Sequence, residues 1–172
     1  MESPVDAESG GRPETAAVAG VPDSVLASLL DPVELRAWRG FLTRYARVSR
    51  RLEADLIARS NLHLAEYDVL FQLAKAEGQR LRMNELADRA LLSRAGITRL
   101  VDRLAADELV GRVKCDSDAR GYFAVLTAGG LARLLDATPD HMAAVRHFFL
   151  ESFTAPELAT VAELMERSQP LD

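Results

Sequence analysis

Hydrophobic residues recur with helical spacing along most of the chain, and the longest such pattern begins just after position 31. Its apolar seam advances in alternating three- and four-residue steps, with one polar interruption at Ser49, through Leu35, Trp38, Leu42, Tyr45, Leu52 and Leu56. Asp31 suits the N-cap, Pro32 the first helical position and Glu34 the carboxylate of a capping box. The pattern predicts a helix over about 32–58. Such a seam can belong to a monomer core, but it is common in helices that pack against a second chain, so it favours a homodimer.

Three shorter helical patterns follow. Their apolar faces, in chain order, are Tyr67, Leu70, Phe71 and Ala74, then Leu86, Ala87 and Ala90, then Ile97, Leu100, Val101 and Leu104. The first pattern predicts a helix over about 65–76, which Gly78 ends. Asn84 is the expected N-cap of the second helix. Ser93 is the expected N-cap of the third, which runs to about Asp107.

The pattern changes from helical to extended at residue 109. The runs 109–114 and 122–126 are rich in β-formers, and they flank a polar segment, 116–121, that ends in glycine. This arrangement predicts a β-hairpin with a polar tip. Short helix, turn, helix and hairpin, in that order, form a winged helix-turn-helix.

Helical patterns resume after the hairpin. Thr127 is the expected N-cap of the next helix, and Thr138–Pro139 should break or kink it. Thr154 and Glu157 have the spacing of a capping box that opens the last helix. The fold class that these patterns predict is mainly α with a small β-hairpin wing (α+β).

The charge distribution keeps nucleic acid among the candidate partners. The 172-residue chain has a net charge of −5, which by itself argues against DNA. Residues 1–34, however, hold seven acids and one base, so the remainder sums to +1. Within 80–122 there are nine bases and seven acids. The direction in which the arginines point therefore decides the question.

Composition bounds the class of protein. Apolar stretches fall far short of the ~20 residues that span a bilayer, and the N-terminus lacks the pattern of a secretory signal. A single cysteine excludes an internal disulfide framework. We expect a cytoplasmic protein without a membrane segment. Residues 1–30 are expected to be an acidic, flexible extension with room for a short helix at 23–30, and residues 31–172 one domain.

The helix that follows Ser93 has a polar face opposite its apolar stripe. That face carries Arg94, Ala95, Thr98, Arg99, Asp102 and Arg103. Arg94 and Arg99 can reach guanine edges or phosphates, and Thr98 can meet a thymine methyl or a phosphate. The helix N-terminus at Ser93 is a ready phosphate site. Any one arginine can be a solvated surface residue, but three on one face favour a DNA-reading helix.

The hairpin tip has the same character. An arginine on an extended loop, here Arg120, suits the negative potential of a narrow minor groove. Asp118 lies two residues earlier and can hold the guanidinium in place. The alternative is that 116–121 is a run of good turn formers, in which Arg120 is incidental.

At these residues the sequence resembles the MarR family of transcription regulators. The matching stretches are Arg82–Ala87, Leu92–Leu104, Asp118–Gly121 and Leu126–Thr127, within a resemblance that covers roughly 32–168. The resemblance implies a two-fold dimer with dimerisation helices at about 32–58 and 128–168 and a winged helix-turn-helix at about 62–126. It also implies a pseudo-palindromic operator in double-stranded DNA and control by a small-molecule effector.

The resemblance also implies roles for individual residues. The recognition-helix contacts would be Ser93, Arg94, Thr98, Arg99 and Arg103, with Arg120 as the wing contact. Five residues lie on the first two helices, which line the effector cleft in the resembled family: Trp38, Phe41, Tyr45, His63 and Tyr67. Their default interpretation is core or dimer interface, and the sequence does not identify the effector.

Other chemistry has little support in the sequence. His63, His141 and His147 are scattered, so we predict no metal site and no cofactor. No nucleophile sits in a strained turn with a base at a sensible position, so we predict no catalysis. The expected function is sequence-specific DNA binding by a repressor that an effector releases. Two alternatives stay open: a winged-helix module that binds protein instead of DNA, as the net charge favours, and thiol redox control at Cys115, beside Lys114.

Overall fold

A computed structural model describes residues 25, 28–90, 92–115 and 118–167, and at 115 and 118–120 it describes the backbone alone. Its helices are α1 (Pro32–Ser60), α2 (Leu64–Lys75), α3 (Met83–Arg89), α4 (Arg94–Ala106), α5 (Ala128–Phe148) and α6 (Ala155–Glu166). Its strands are β1 (Arg80–Arg82), β2 (Val110–Cys115) and β3 (Asp118–Leu126). The mainly helical fold class with a β-hairpin is confirmed.

The described part of the chain divides between residues 44 and 45 into two units. In the first unit, the capping box predicted for α1 is present. The Asp31 amide donates to Glu34 Oε2 at 2.8 Å, and Asp31 Oδ1 accepts from the Glu34 amide at 2.9 Å. These two hydrogen bonds satisfy amides that the start of a helix leaves without partners. Val25, Ser28 and Leu29, before α1, are helical as well.

The second unit contains one continuous hydrophobic core. Its fully buried members include Val69, Leu70 and Leu73 of α2, Leu86 of α3, and Ile97, Val101 and Leu104 of α4. Against them lies a three-stranded antiparallel sheet in the order β1-β3-β2. Leu81 of β1 pairs with Ala124 of β3, and both are buried. The short helices and the sheet therefore hold one another in place.

Two details at the start of α3 differ from the sequence-based prediction. Arg80–Arg82 forms a third strand, which no run of β-formers announces, because Arg80 and Arg82 pair with Val125 and Phe123 of β3. This pairing keeps the backbone extended as far as Arg82, which becomes the N-cap of α3. The prediction that Asn84 caps this helix is wrong, since Asn84 already lies inside its first turn.

The predicted break at Thr138–Pro139 does not occur, because α5 runs without interruption from Ala128 to Phe148. Proline removes only one amide donor from the helix, and the Thr138 hydroxyl donates to the Leu134 carbonyl at 2.7 Å. The buried face continues across the proline through Ala137 and His141. Packing of that face stabilises the helix against the local preference.

Thr127 joins the end of α4 to the start of α5. It caps α5, since its hydroxyl oxygen accepts from the Gly130 amide at 2.9 Å, as predicted. The same hydroxyl lies within donating distance of the carbonyls of Glu108 and Leu109, at 2.8 and 3.0 Å. A Cβ on Gly130 would lie 2.0 Å from the Leu109 carbonyl oxygen, so this contact requires glycine. The turn between α4 and β2 is thereby clamped.

Candidate DNA-binding surface

Ser93 starts α4 from an extended backbone, with φ −64° and ψ 154°. Its hydroxyl oxygen accepts from the Gly96 amide at 3.1 Å, which confirms the predicted N-cap. The other amides of the first turn have no acceptor within a helix. The N-terminus of α4 is exposed, so these amides can meet an anion from outside the chain.

Helix α4 has the two faces that its sequence predicts. Ile97, Leu100, Val101 and Leu104 are buried in the core, whereas Arg94, Thr98, Arg99, Asp102 and Arg103 are exposed. Among the described residues, neither Arg94 nor Arg99 forms an ion pair. The Thr98 hydroxyl donates back to the Arg94 carbonyl at 2.8 Å. The structure thus places Arg94, Thr98 and Arg99 together on the exposed surface of one helix.

Arg103 differs from the other two arginines because it has an acidic neighbour. Its Nη2 lies 3.6 Å from Oε1 of Glu66, a residue that is buried in α2. The other oxygen of Glu66 accepts from the His63 amide at 3.0 Å and so caps α2. With its side chain 62% exposed, Arg103 keeps access to solvent while it pairs with the buried carboxylate.

Arg112 is a residue of this surface that sequence reasoning missed. It projects from β2, and its Nη2 lies 2.8 Å from Asp102 Oδ1 and 3.4 Å from the Thr98 carbonyl oxygen. The signal was available in the strand alternation, which places Arg112 on the same face as Val110. That face points toward α4, because Val110 is buried in the core.

The strands of the wing extend farther toward its tip than predicted. Strand β3 begins at Asp118, which pairs with Cys115 beyond an irregularity at Lys114/Cys115. Asp118 and Arg120 therefore lie on strand backbone and not on a loop, since the pairing extends almost to the tip. The side chains of Asp118, Arg120 and Cys115 lie outside the described part of the chain.

The five aromatic and histidine residues assigned to an effector cleft have different surroundings. In the first unit, Trp38 and Phe41 stack with ring centroids 6.0 Å apart, and both are about half exposed. Tyr45, in the second unit, is also exposed. Tyr67 is buried in the core, where its ring centroid lies 4.2 Å from that of His141. The default interpretation as core therefore holds for Tyr67.

His63 is held by an acid on α1. Its Nδ1 donates to Glu53 Oε1 at 2.7 Å, and the Leu64 amide donates to Glu53 Oε2 at 2.6 Å. Burial raises the pKa of the Glu53 carboxyl, but these two hydrogen bonds outweigh burial and leave its pKa below the usual value. Glu53 thus ties α1 to the start of α2.

His141 is a buried titratable group that the sequence did not single out. Its Nδ1 has no hydrogen-bond partner among the described residues. Burial lowers the pKa of its imidazole, and the charge of Asp55 opposes that shift in part. Across the described ranges no group of three His, Cys, Asp or Glu side chains is placed to hold a metal ion. In the same part of the chain, no helix is both long and apolar enough to cross a membrane.

The sequence and the fold are similar to those of known transcription regulators. A family model described as the MarR family matches residues 60–121. The HTH-type transcriptional regulator MhqR of Bacillus subtilis is 31% identical over 111 residues, 64% of this chain and 74% of that protein. The HTH-type transcriptional repressor YetL of the same species is 36% identical over 80 residues, 46% of this chain and 48% of that protein.

A solved structure shows the same likeness in three dimensions. The crystal structure of Sco3205, a MarR family transcriptional regulator from Streptomyces coelicolor, in complex with DNA, matches with a TM-score of 0.74 and 31% identity. The match covers 80% of this chain and 89% of that one.

Proposed function

The chain belongs to the MarR family of transcription regulators, and on that premise we propose that it is a cytoplasmic repressor that binds a pseudo-palindromic DNA operator as a homodimer and is released by a small molecule. The observation that carries this proposal is the exposed face of α4, where Arg94, Thr98 and Arg99 lie together behind the Ser93 cap. Opposite them, the helix is anchored in the core by four apolar side chains.

The proposed mode of DNA binding places α4 in the major groove. Arg94 and Arg99 would each donate two hydrogen bonds to guanine O6 and N7, and Thr98 would contact a thymine methyl or a phosphate. The N-terminus of α4 at Ser93 would receive a phosphate. Arg103 would reach a phosphate in competition with Glu66, which holds it only loosely at 3.6 Å.

The hairpin would read the adjacent minor groove. In this proposal Arg120 enters the groove, where a cation meets strong negative potential, and Asp118 orients the guanidinium. Because the minor groove separates A·T from G·C pairs but little more, the wing would add affinity and register. Sequence discrimination would come from α4.

The homodimer is supported by large apolar side chains that stay about half exposed in the described part of the chain. In the first unit, Trp38 and Phe41 of α1 are 51% and 50% exposed. In the second unit, Leu164 and Met165 of α6 are 54% and 58% exposed. We assign α1, α5 and α6 to dimerisation, so that a two-fold axis would present two winged domains to two half-sites.

The proposed release from DNA depends on an effector. The two winged domains can have a spacing that fits the operator or one that does not. A ligand that binds more tightly to the protein with the second spacing would lower DNA affinity by the ratio of the ligand's affinities for the two forms. In the first unit, the exposed rings of Trp38 and Phe41 are candidates for contact with such a ligand. In the second unit, Tyr45 is a candidate for a ring contact and His63 for a polar one. YetL of Bacillus subtilis, to which the chain is similar, is a transcriptional repressor, and this supports repression over activation.

The test starts from duplexes that the parent protein enriches from a random DNA pool. We expect Arg94→Ala and Arg99→Ala each to weaken binding to the enriched duplex by ~1–3 kcal/mol, with little change on scrambled DNA. Arg89→Ala on α3, where Arg89 pairs with Glu85, is the matched control. Unchanged binding by both α4 variants would show that this helix does not read DNA. A parent that enriches no duplex would favour the protein-binding alternative.

A further inference from the structure

Arg112 connects the wing to α4 from the inner side of the sheet. It pairs with Ala124 across β2 and β3, and Ala124 is completely buried, so this face of the sheet points inward. From there the guanidinium of Arg112 reaches Asp102 Oδ1 at 2.8 Å and the Thr98 carbonyl oxygen at 3.4 Å. Asp102 and Thr98 lie four residues apart, on one side of α4. One side chain of β2 therefore contacts two successive turns of α4.

Asp102 gives this contact an electrostatic role. Its carboxylate is 55% exposed and stands between Arg99 and Arg103 in sequence, on the surface assigned to DNA. An unpaired carboxylate at that place would repel phosphates. Arg112 balances its charge, and with the side chain of Arg112 only 33% exposed, the pair is partly shielded from solvent.

Arg112 holds the strand near its base, where a small tilt has a large effect. The preceding turn contains Glu108 at φ +59° and is clamped by the Thr127 hydroxyl. Beyond Arg112 the strand runs three more residues to Cys115, a length of ~10 Å at about 3.3 Å per residue. A rotation of ~10° at Arg112 would therefore move the far end of β2 by ~2 Å, which exceeds the tolerance of a hydrogen bond.

We propose that Arg112 is a positioning residue that sets the angle between the hairpin and α4 through Asp102, so that both can enter adjacent grooves of DNA at once. This inference rests on the proposed DNA-binding function. Arg112 does not act as a phosphate contact, since its guanidinium is turned toward α4. Asp102, although acidic, contributes to DNA binding as the partner of Arg112.

The experiment compares Arg112→Gln, Asp102→Asn and the double variant on the duplex enriched by the parent. We expect about a tenfold loss of affinity for either single variant, the size of one charge-assisted hydrogen bond at a partly exposed site. The double variant should lose no more than the singles, because both break the same contact. The slope of log affinity against log salt should stay at the parent value, since no phosphate contact is removed.

A direct phosphate contact by Arg112 makes the opposite predictions. Arg112→Gln would lower the salt slope of the dimer by about two, and Asp102→Asn would leave binding equal or tighter, because it removes an acid from the surface. Lys114→Gln is the matched control for the loss of one positive charge from β2 without loss of the contact to Asp102. Lys114 is an exposed cation two residues along the same face of the strand. Either of the opposite results would overturn the proposal.

Hydrogen exchange in the DNA-free protein separates this proposal from the function on which it rests. We expect Arg112→Gln and Asp102→Asn to accelerate amide exchange in β2 and β3 to the same extent, while Lys114→Gln does not. Circular dichroism and thermal melting confirm that each variant is folded. Equal exchange in all variants would overturn the positioning role even if the parent binds DNA. A parent that binds no DNA, with the exchange pattern as expected, would contradict the proposed function and leave the hairpin contact standing.

Discussion

Helices α4 and α6 have 13 and 12 residues and each has an apolar stripe, but the described part of the chain fully covers only that of α4. Ile97, Leu100, Val101 and Leu104 of α4 are buried among α2, α3 and the sheet. In α6 no residue is fully buried, and Leu164 and Met165 are more than half exposed. An amphipathic pattern thus predicts that a face will be covered, but it does not tell which chain covers it.

The same leucine-to-alanine substitution in α4 and in α6 tests whether the two apolar stripes are covered in different ways. Leu104→Ala removes a side chain that is 1% exposed, so we expect the free energy of unfolding to fall by ~2–5 kcal/mol at every protein concentration. Leu164→Ala should lower stability by an amount that changes with protein concentration, because the cavity would lie between chains. Urea unfolding at two concentrations measures both. A concentration-independent loss for Leu164→Ala as large as that for Leu104→Ala would place α6 in the core of its own chain.

A charge on the exposed stripe of α6 tests the dimer directly. Leu164→Asp should convert the protein from a dimer to the 18.8 kDa monomer at micromolar concentration, since burial of an unpaired carboxylate in an apolar interface is strongly unfavourable. Light scattering reports the mass. Ala159→Asp, on the opposite side of α6, is the control and should stay dimeric. A parent that already has the monomer mass would refute the dimer.

A substitution in the wing should change DNA binding but not the dimer or the stability of the fold. Arg120→Ala should weaken binding to enriched and scrambled duplexes alike and lower the salt slope of the dimer by about two, if one phosphate-like contact per subunit is lost. Asp118→Ala should show a milder form of this defect. Dimer mass and unfolding should not change. If both slope and affinity match those of the parent, the hairpin does not contact DNA.

His141 lies where α5 packs on Tyr67 of α2. We expect its protonation to have a smaller effect than any of the substitutions above. Its folded-state pKa is lowered, chiefly by burial, so the unfolded chain binds the proton more readily. Stability is then complete above the unfolded pKa of about 6.5 and declines as pH falls below that value toward the folded pKa. The elements that face His141 also contribute Asp55, whose charge opposes the shift and which pairs with Arg59.

Thermal melting between pH 7.5 and 5 tests this expectation. The melting temperature of the parent should fall more over this interval than that of His141→Gln, which has no imidazole to protonate. The pKa of Glu53 is lowered, so the stability that it contributes declines only in more acidic solution and does not interfere. Parallel curves for the two proteins would show that His141 does not titrate on unfolding.

Local signals were sufficient for much of the fold. The caps at Asp31, Ser93, Thr127 and Thr154 were predictable because each depends on residues within three positions of the cap. The two faces of α4 were predictable for the same kind of reason, since helical periodicity alone assigns residues to faces. Helical periodicity alone therefore places Arg94, Thr98 and Arg99 on one surface.

Contacts between distant residues decided the rest. Strand β1 exists because Arg80 and Arg82 pair with residues more than forty positions away, and α5 continues through Pro139 because its buried face is packed. The contact of Arg112 with Asp102 depends on the angle at which β2 returns along α4. By itself, the sequence determined which faces are apolar, the caps at Asp31, Ser93, Thr127 and Thr154, and which arginines share a helix face, because those properties depend on spacing along one helix or strand. Only the tertiary structure decided which of these cations pair with an acidic side chain, as Arg103 does with Glu66 and Arg112 with Asp102, because that depends on packing between elements.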